Sequence, residues 1–263
     1  MKSLPFFFFL FWANLASSTI LISTDSLPPV CDSLQNELPQ KIDLTPFCPE
    51  VRNQGRLPSC VGWALGYGAL TIERAIRHDC TDKKIITHNA SSALFIFNQT
   101  RRDSLGSRLR DAMFFLETNG DCLARHFDFD VNDGERQPSA ELSEAALTFS
   151  VAGATALFEK EDSAALKVSR VRQALAQNKP VVAGVAIRRN FLKLKNAVYW
   201  WPQLGDTMPA GGHALVVVGY DERRQAFQLM NSWGRQWGEQ GFIWMKYAVF
   251  GQFCRQAYVL RLR

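Results

Sequence analysis

The chain has 263 residues, is 47% hydrophobic and 21% charged, and carries a formal net charge of +5. That length and apolar content suffice for one large core and exclude a disordered or fibrous chain. Basic residues are scattered, in pairs at most (Arg101-Arg102, Arg188-Arg189, Arg223-Arg224), so the clustered charge of a nucleic-acid binder is missing and no nucleic-acid partner is expected.

In chain order, the first feature is Lys2 followed by an apolar stretch from Leu4 to Trp12 and the small residues Ala16-Ser17-Ser18. This predicts an export signal over residues 1–18 and places the chain outside the cytoplasm, secreted or periplasmic. Apolar character resumes at Ile20-Leu21-Ile22, so an uncleaved anchor is the alternative, and membrane contact is expected only in that case. Residues 19–37 read as a short leader, and the folded domain is expected over 38–263. An almost unbroken apolar run from Cys60 to about His78 predicts a buried central helix. Further helices are expected from Ser91 to about Arg102, from an N-cap at Ser107 through Leu109, Ala112, Met113 and Leu116 to a stop at Gly120, and over Ala164–Ala176. The rear of the chain turns to strands: Val181–Ile187, Ala214–Tyr220, Gln225–Met230, Gly241–Met245 and Ala257–Leu262. This is the pattern of an α+β protein with a helical lobe at about 50–150, a β lobe at about 151–263, and a cleft between them.

Export also governs the six cysteines. In an oxidising compartment most of Cys31, Cys48, Cys60, Cys80, Cys122 and Cys254 are expected to be bridged. If Cys60 is a free reactive thiol, two bridges leave one cysteine over, and the spacing does not choose the pairing. There is no CxxC and the four histidines are dispersed, so neither a metal site nor a cofactor is expected.

A thiol nucleophile needs a thiolate-favouring setting, a base, a group to orient the base and donors for the developing oxyanion. Cys60 opens the central helix, where the helix dipole favours thiolate; by itself, such a cysteine is more often a core residue. The two strands flanking Asp221-Glu222-Arg223-Arg224 read as a hairpin. A turn centred on residue 222 puts His213 opposite Asn231, within reach of one imidazole nitrogen.

These residues carry a resemblance. The stretch Val51-Arg52-Asn53-Gln54-Gly55-Arg56-Leu57-Pro58-Ser59-Cys60, the segment Gly211-Gly212-His213-Ala214 with Val218-Gly219-Tyr220, and the run from Asn231-Ser232-Trp233-Gly234 to Trp237-Gly238-Glu239-Gln240-Gly241-Phe242 together resemble the papain-like cysteine peptidases, over roughly residues 38 to 260. Ser92-Ala93-Leu94-Phe95 and Ser107 to Ala112 are most similar to bacterial members. The resemblance implies a two-lobed fold with a helical left lobe and an antiparallel β-barrel-like right lobe. It also implies a monomer acting on a peptide or protein substrate with Cys60 as nucleophile, His213 as base, Asn231 as its orienting partner and Gln54 in the oxyanion hole. Trp233 would cover the Asn231–His213 bond, and Gly106 would offer backbone contacts on the substrate wall. Leu57, Pro58 and Val61 depart from the family's signature, Trp63 partly fills the aromatic volume lost at Val61, and Cys254 has lost its usual partner, leaving Cys31 or none. A silent binding module on the same fold, or a cell-wall amidase or transpeptidase, would carry the same residues.

Overall fold

The computed structural model describes residues 38–102, 106–202 and 209–263; the export signal, the leader and Cys31 lie outside them. The centre of the molecule is one continuous helix built from Cys60–Gly62, Trp63–Leu70 and Thr71–Arg77, the middle section π-helical. Every residue from 61 to 73 is buried, as the all-round apolar sequence requires. Small residues let the neighbouring helix Ala93–Thr100 come close: a Cβ on Gly62 would meet the backbone carbonyl of Ala93, and one on Gly66 would lie 3.2 Å from that of Ser92. Gly62→Ala must therefore push two backbones apart. It should cost about 1–3 kcal/mol and lower Tm by several degrees in calorimetry. Gly212→Ala, with nothing within 4 Å of its Cβ, should change stability by no more than about 0.5 kcal/mol.

The helix Ala93–Thr100 is capped by Ser92, whose hydroxyl accepts from the Phe95 N–H at 3.1 Å. The next helix, Leu109–Asn119, buries Leu109, Ala112, Met113 and Leu116 and ends at Gly120, but Ser107 is not its cap. Arg108 holds that position without a side-chain bond, and Ser107 instead takes the Thr100 hydroxyl at 2.8 Å. The helix Ala164–Ala176 has the predicted bounds, with Ser163 capping it.

Seven antiparallel strands form one sheet: β1 (Lys41–Asp43), β2 (Val151–Ala156), β3 (Val181–Arg188), β4 (Pro209–Asp221), β5 (Ala226–Met230), β6 (Phe242–Lys246) and β7 (Cys254–Leu262). Their order is β2-β7-β3-β4-β5-β6, with β1 paired to β4. The sheet is open, which corrects the expected barrel-like lobe. The free edge of β6 is covered rather than closed: Val198 and Trp200 exchange backbone bonds with Trp244 at 2.8 and 3.1 Å. Such cover blocks edge-to-edge pairing. The architecture is α+β: the central helix, Ala93–Thr100 and Leu109–Asn119 pack together on one side, and the helices Ala164–Ala176 and Tyr247–Phe253 pack on the sheet.

The hairpin is not centred where the sequence suggested. Asp221 pairs with Ala226, leaving Glu222–Gln225 as the loop, and a bulge at Val218 shifts the ladder, so that Val217 faces Leu229 and Val216 faces Met230. His213 faces Val185 on β3. Continued by one residue, the ladder would set Asn231 opposite Leu215, which shares a face of β4 with His213. The two side chains therefore meet along a diagonal, not directly across.

Cys48, Cys60, Cys80, Cys122 and Cys254 are all free, so the expected bridges do not form among the described residues. Cys48, Cys122 and Cys254 are buried and fill apolar space as small hydrophobes; the Cys254 thiol bonds the Gln256 carbonyl at 3.3 Å. The sequence holds two triplets of the Asn-x-Ser/Thr glycosylation type, Asn89-Ala90-Ser91 and Asn98-Gln99-Thr100; Asn98 is only 5% exposed and its amide is committed to the carbonyls of Asp133 and Arg136. It cannot serve as an acceptor in the folded chain.

Candidate active site

Cys60 sits at the first position of the central helix. Backbone N–H groups of Ala214, Val61 and Cys60 point at its sulfur. The Ala214 contact comes from the sheet lobe and sets the sulfur against the residue following His213. Burial pushes the thiol up, and the three N–H donors oppose it without prevailing. The helix start acts with those donors in favour of the thiolate, against the burial.

His213 is nearly buried and its Nε2 lies 2.7 Å from Asn231 Oδ1. Asn231 Oδ1 also accepts the Ser232 N–H at 2.8 Å. An oxygen that takes a backbone donor fixes the amide's orientation, so Nε2 of His213 must carry the hydrogen and Nδ1 is left without one when the ring is neutral. Desolvation pushes the imidazole down to about 4, with the Asn231 bond acting in the opposite direction. Trp233 stacks over the imidazole, ring centres 4.3 Å apart and planes 30° from parallel.

Gln54 is buried between the lobes. Its Oε1 accepts from the Ser232 hydroxyl at 2.7 Å, and one amide hydrogen goes to the Leu57 carbonyl at 2.8 Å. The second amide hydrogen remains for another acceptor. The segments 52–54 and 232–234 are laced by backbone bonds, Gln54 N–H to Ser232 O at 2.7 Å and Gly234 N–H to Arg52 O at 3.1 Å. The glycines of the motif stand where side chains are strained: Gly234, Gly238 and Gly241 have φ of 80°, 58° and 91°.

Gly106 (φ 79°) lies against the loop before the sulfur, where a Cβ would sit 2.5 Å from the Pro58 carbonyl. Its own carbonyl already accepts the Arg102 N–H at 2.8 Å. Cys60, His213, Asn231, Gln54 and Trp233 thus converge, with Gly106 on the adjoining wall. Two residues were not foreseen. Ser232 was visible inside its motif but assigned no role. Phe191 packs against Trp200, Trp233, Trp237 and His213, in a connection between strands where nothing in the sequence marks it out.

Comparison with known proteins agrees with this geometry. An uncharacterized peptidase C1-like protein of Acanthamoeba polyphaga mimivirus is 26% identical over 243 residues, 87% of this chain and 74% of that one. Pro-cathepsin H of Mus musculus is 35% identical over 73 residues, which span 27% of this chain and 22% of that protein. Among solved structures, xylellain, a cysteine protease from Xylella fastidiosa, superposes with a TM-score of 0.77 at 24% identity, over 90% of this chain and 91% of that one. Residues 38–258 match the profile described as papain family cysteine protease. The chain belongs to the papain family of cysteine proteases.

Proposed function

We propose that the chain is a cysteine-type peptidase that hydrolyses peptide bonds through an acyl-enzyme on Cys60. The observation that carries this reading is the His213 Nε2–Asn231 Oδ1 bond of 2.7 Å, which leaves Nδ1 as the nitrogen available to a thiol. The Cys60 proton passes to Nδ1 and the sulfur attacks the substrate carbonyl carbon. The resulting oxyanion is taken by the spare Gln54 amide hydrogen and the Cys60 backbone N–H, the latter free of any intrahelical acceptor at a helix start. His213 then gives its proton to the leaving amine as the C–N bond breaks. Water, deprotonated by His213, hydrolyses the thioester and restores the thiol. Alone, either charge is disfavoured by burial; a thiolate and an imidazolium formed together neutralise each other, so proton transfer within the pair answers the desolvation that opposes each separately. Peptides or proteins outside the cytoplasm are the proposed substrates, the location resting on the N-terminal sequence.

An epoxysuccinyl thiol trap tests the reading. Mass addition at Cys60 that is lost in His213→Ala supports a peptidase. An unlabelled Cys60 in folded protein at neutral pH would instead identify a silent module.

The same pair predicts a titration. In Cys60→Ser no thiolate can form, so burial, opposed by the Asn231 bond, governs His213 and its imidazole should stay neutral down to about 4, as read by NMR. An unfolded imidazole takes its proton near about 6.5. The contribution of His213 to that variant's stability is therefore complete above that pH and lost as pH falls from there towards about 4. Titration of the variant near about 6.5 would show that solvent reaches the ring and would contradict the burial of His213.

A further inference from the structure

Behind Asn231 lies a small cavity bordered by Trp63, Tyr67, Ala214, Met230, Asn231 and Ser232. The space in it open to the centre of a water-sized sphere is about 10 Å³, close to the minimum that holds a single water. Two of its lining residues, Trp63 and Asn231, carry side-chain N–H donors. Asn231 Oδ1 is engaged by His213 and Ser232, so Nδ2 must occupy the other edge of the amide. That Nδ2 and the Trp63 Nε1 are both buried without a hydrogen-bond partner among the described residues, and both residues are only 3% exposed. Arg52 also borders the cavity, but its guanidinium is committed to Asp128 at 3.0 Å.

A buried polar group without a partner is rare and destabilising. Two of them on one cavity define a site for a small acceptor. The volume selects a molecule of water size, and the apolar remainder of the wall (Ala214, Met230) favours a neutral one. We propose that this cavity binds one ordered water, which accepts from Trp63 Nε1–H and Asn231 Nδ2–H, and that Trp63 is thereby a positioning residue for Asn231 and, through it, for His213. The water holds the amide against rotation, which would otherwise turn Nδ2 towards two donors. Accepting from Nδ2 also polarises the amide and makes Oδ1 a stronger acceptor for the imidazole N–H. The site therefore steadies the protonated form of His213. The consequence for His213 rests on the peptidase reading, whereas the water site does not.

A crystal structure of the full chain that resolves solvent tests the site directly. The expected result is one water within about 3.2 Å of both nitrogens. A cavity without solvent density, an Asn231 Nδ2 bonded to a protein carbonyl, or a halide exposed by bromide exchange overturns the site, whether or not the chain cleaves peptides. Trp63→Phe keeps most of the ring and removes the N–H. If the wild-type chain is active, this variant should lower kcat roughly fivefold with KM unchanged and move the alkaline limb of the pH profile to lower pH. An unchanged alkaline limb in a folded, active variant would overturn the positioning role. Should that variant fail to fold, the wild-type solvent structure still decides the site, and the alkaline limb of Tyr67-intact Trp63→His, which restores a ring N–H, decides the coupling.

Discussion

Replacing His213 by alanine should lower kcat/KM by about four orders of magnitude or more. The ring belongs to the residue before Ala214, whose backbone N–H reaches the Cys60 sulfur, and burial of that sulfur opposes a thiolate unless a base receives its proton. Cys60→Ala should lose as much. The double variant should be scarcely worse than either single one, because groups that act as one unit are not additive. The folded state should survive in both: His213 makes one side-chain hydrogen bond, to Asn231, and its removal leaves the β3–β4 ladder intact. Steady-state kinetics on a chromogenic peptide, with circular dichroism as the folding control, make the measurement. Losses that multiply in the double variant would show that the two side chains do not act together.

Gln54→Ala carries the second largest expected effect. The amide is held at both ends, Oε1 by the Ser232 hydroxyl and one N–H by the Leu57 carbonyl, so its second hydrogen points in a fixed direction. A donor that needs no reorganisation when negative charge develops is worth about 3–4 kcal/mol, or about 10²–10³ in kcat. The loss should fall on kcat, with KM little changed. Labelling of Cys60 by a small alkylating agent, which forms no oxyanion, should persist at close to the wild-type rate. A variant whose KM rises instead, at constant kcat, would assign Gln54 to ground-state binding and remove it from the oxyanion hole.

The parts of this site that were legible in the sequence are those whose chemistry leaves little choice of residue. The run from Asn231 to Phe242 was readable because Gly234, Gly238 and Gly241 all adopt positive φ, where other residues are strained, and because Trp233 and Trp237 pack edge-on at 5.5 Å. The central helix was readable from its continuous apolar run, although its π-helical middle, Trp63–Leu70, was not. The meeting of His213 and Asn231 was anticipated through a direct pairing about residue 222, but Asp221 pairs with Ala226, so the turn is centred between Arg223 and Arg224, and the bulge at Val218 recovers only part of that offset. Strand β2, Val-Ala-Gly-Ala-Thr-Ala, has little intrinsic strand preference and is held by its pairing with β7. The expectation of bridges rested on a compartment inferred from the N-terminus, which argues for bridges as a class; among the described residues Cys48, Cys122 and Cys254 are instead buried as free thiols.

The backbone lacing of residues 52–54 to 232–234 bears on how the cleft keeps its alignment. It makes the amide of Gln54 and the partner of the imidazole move as one rigid piece, whatever slack exists elsewhere between helices and sheet. Breathing of the two halves would then open the groove around a fixed pivot beside the sulfur. A long peptide could be admitted or released at the outer reaches of the groove while the reacting atoms keep their spacing.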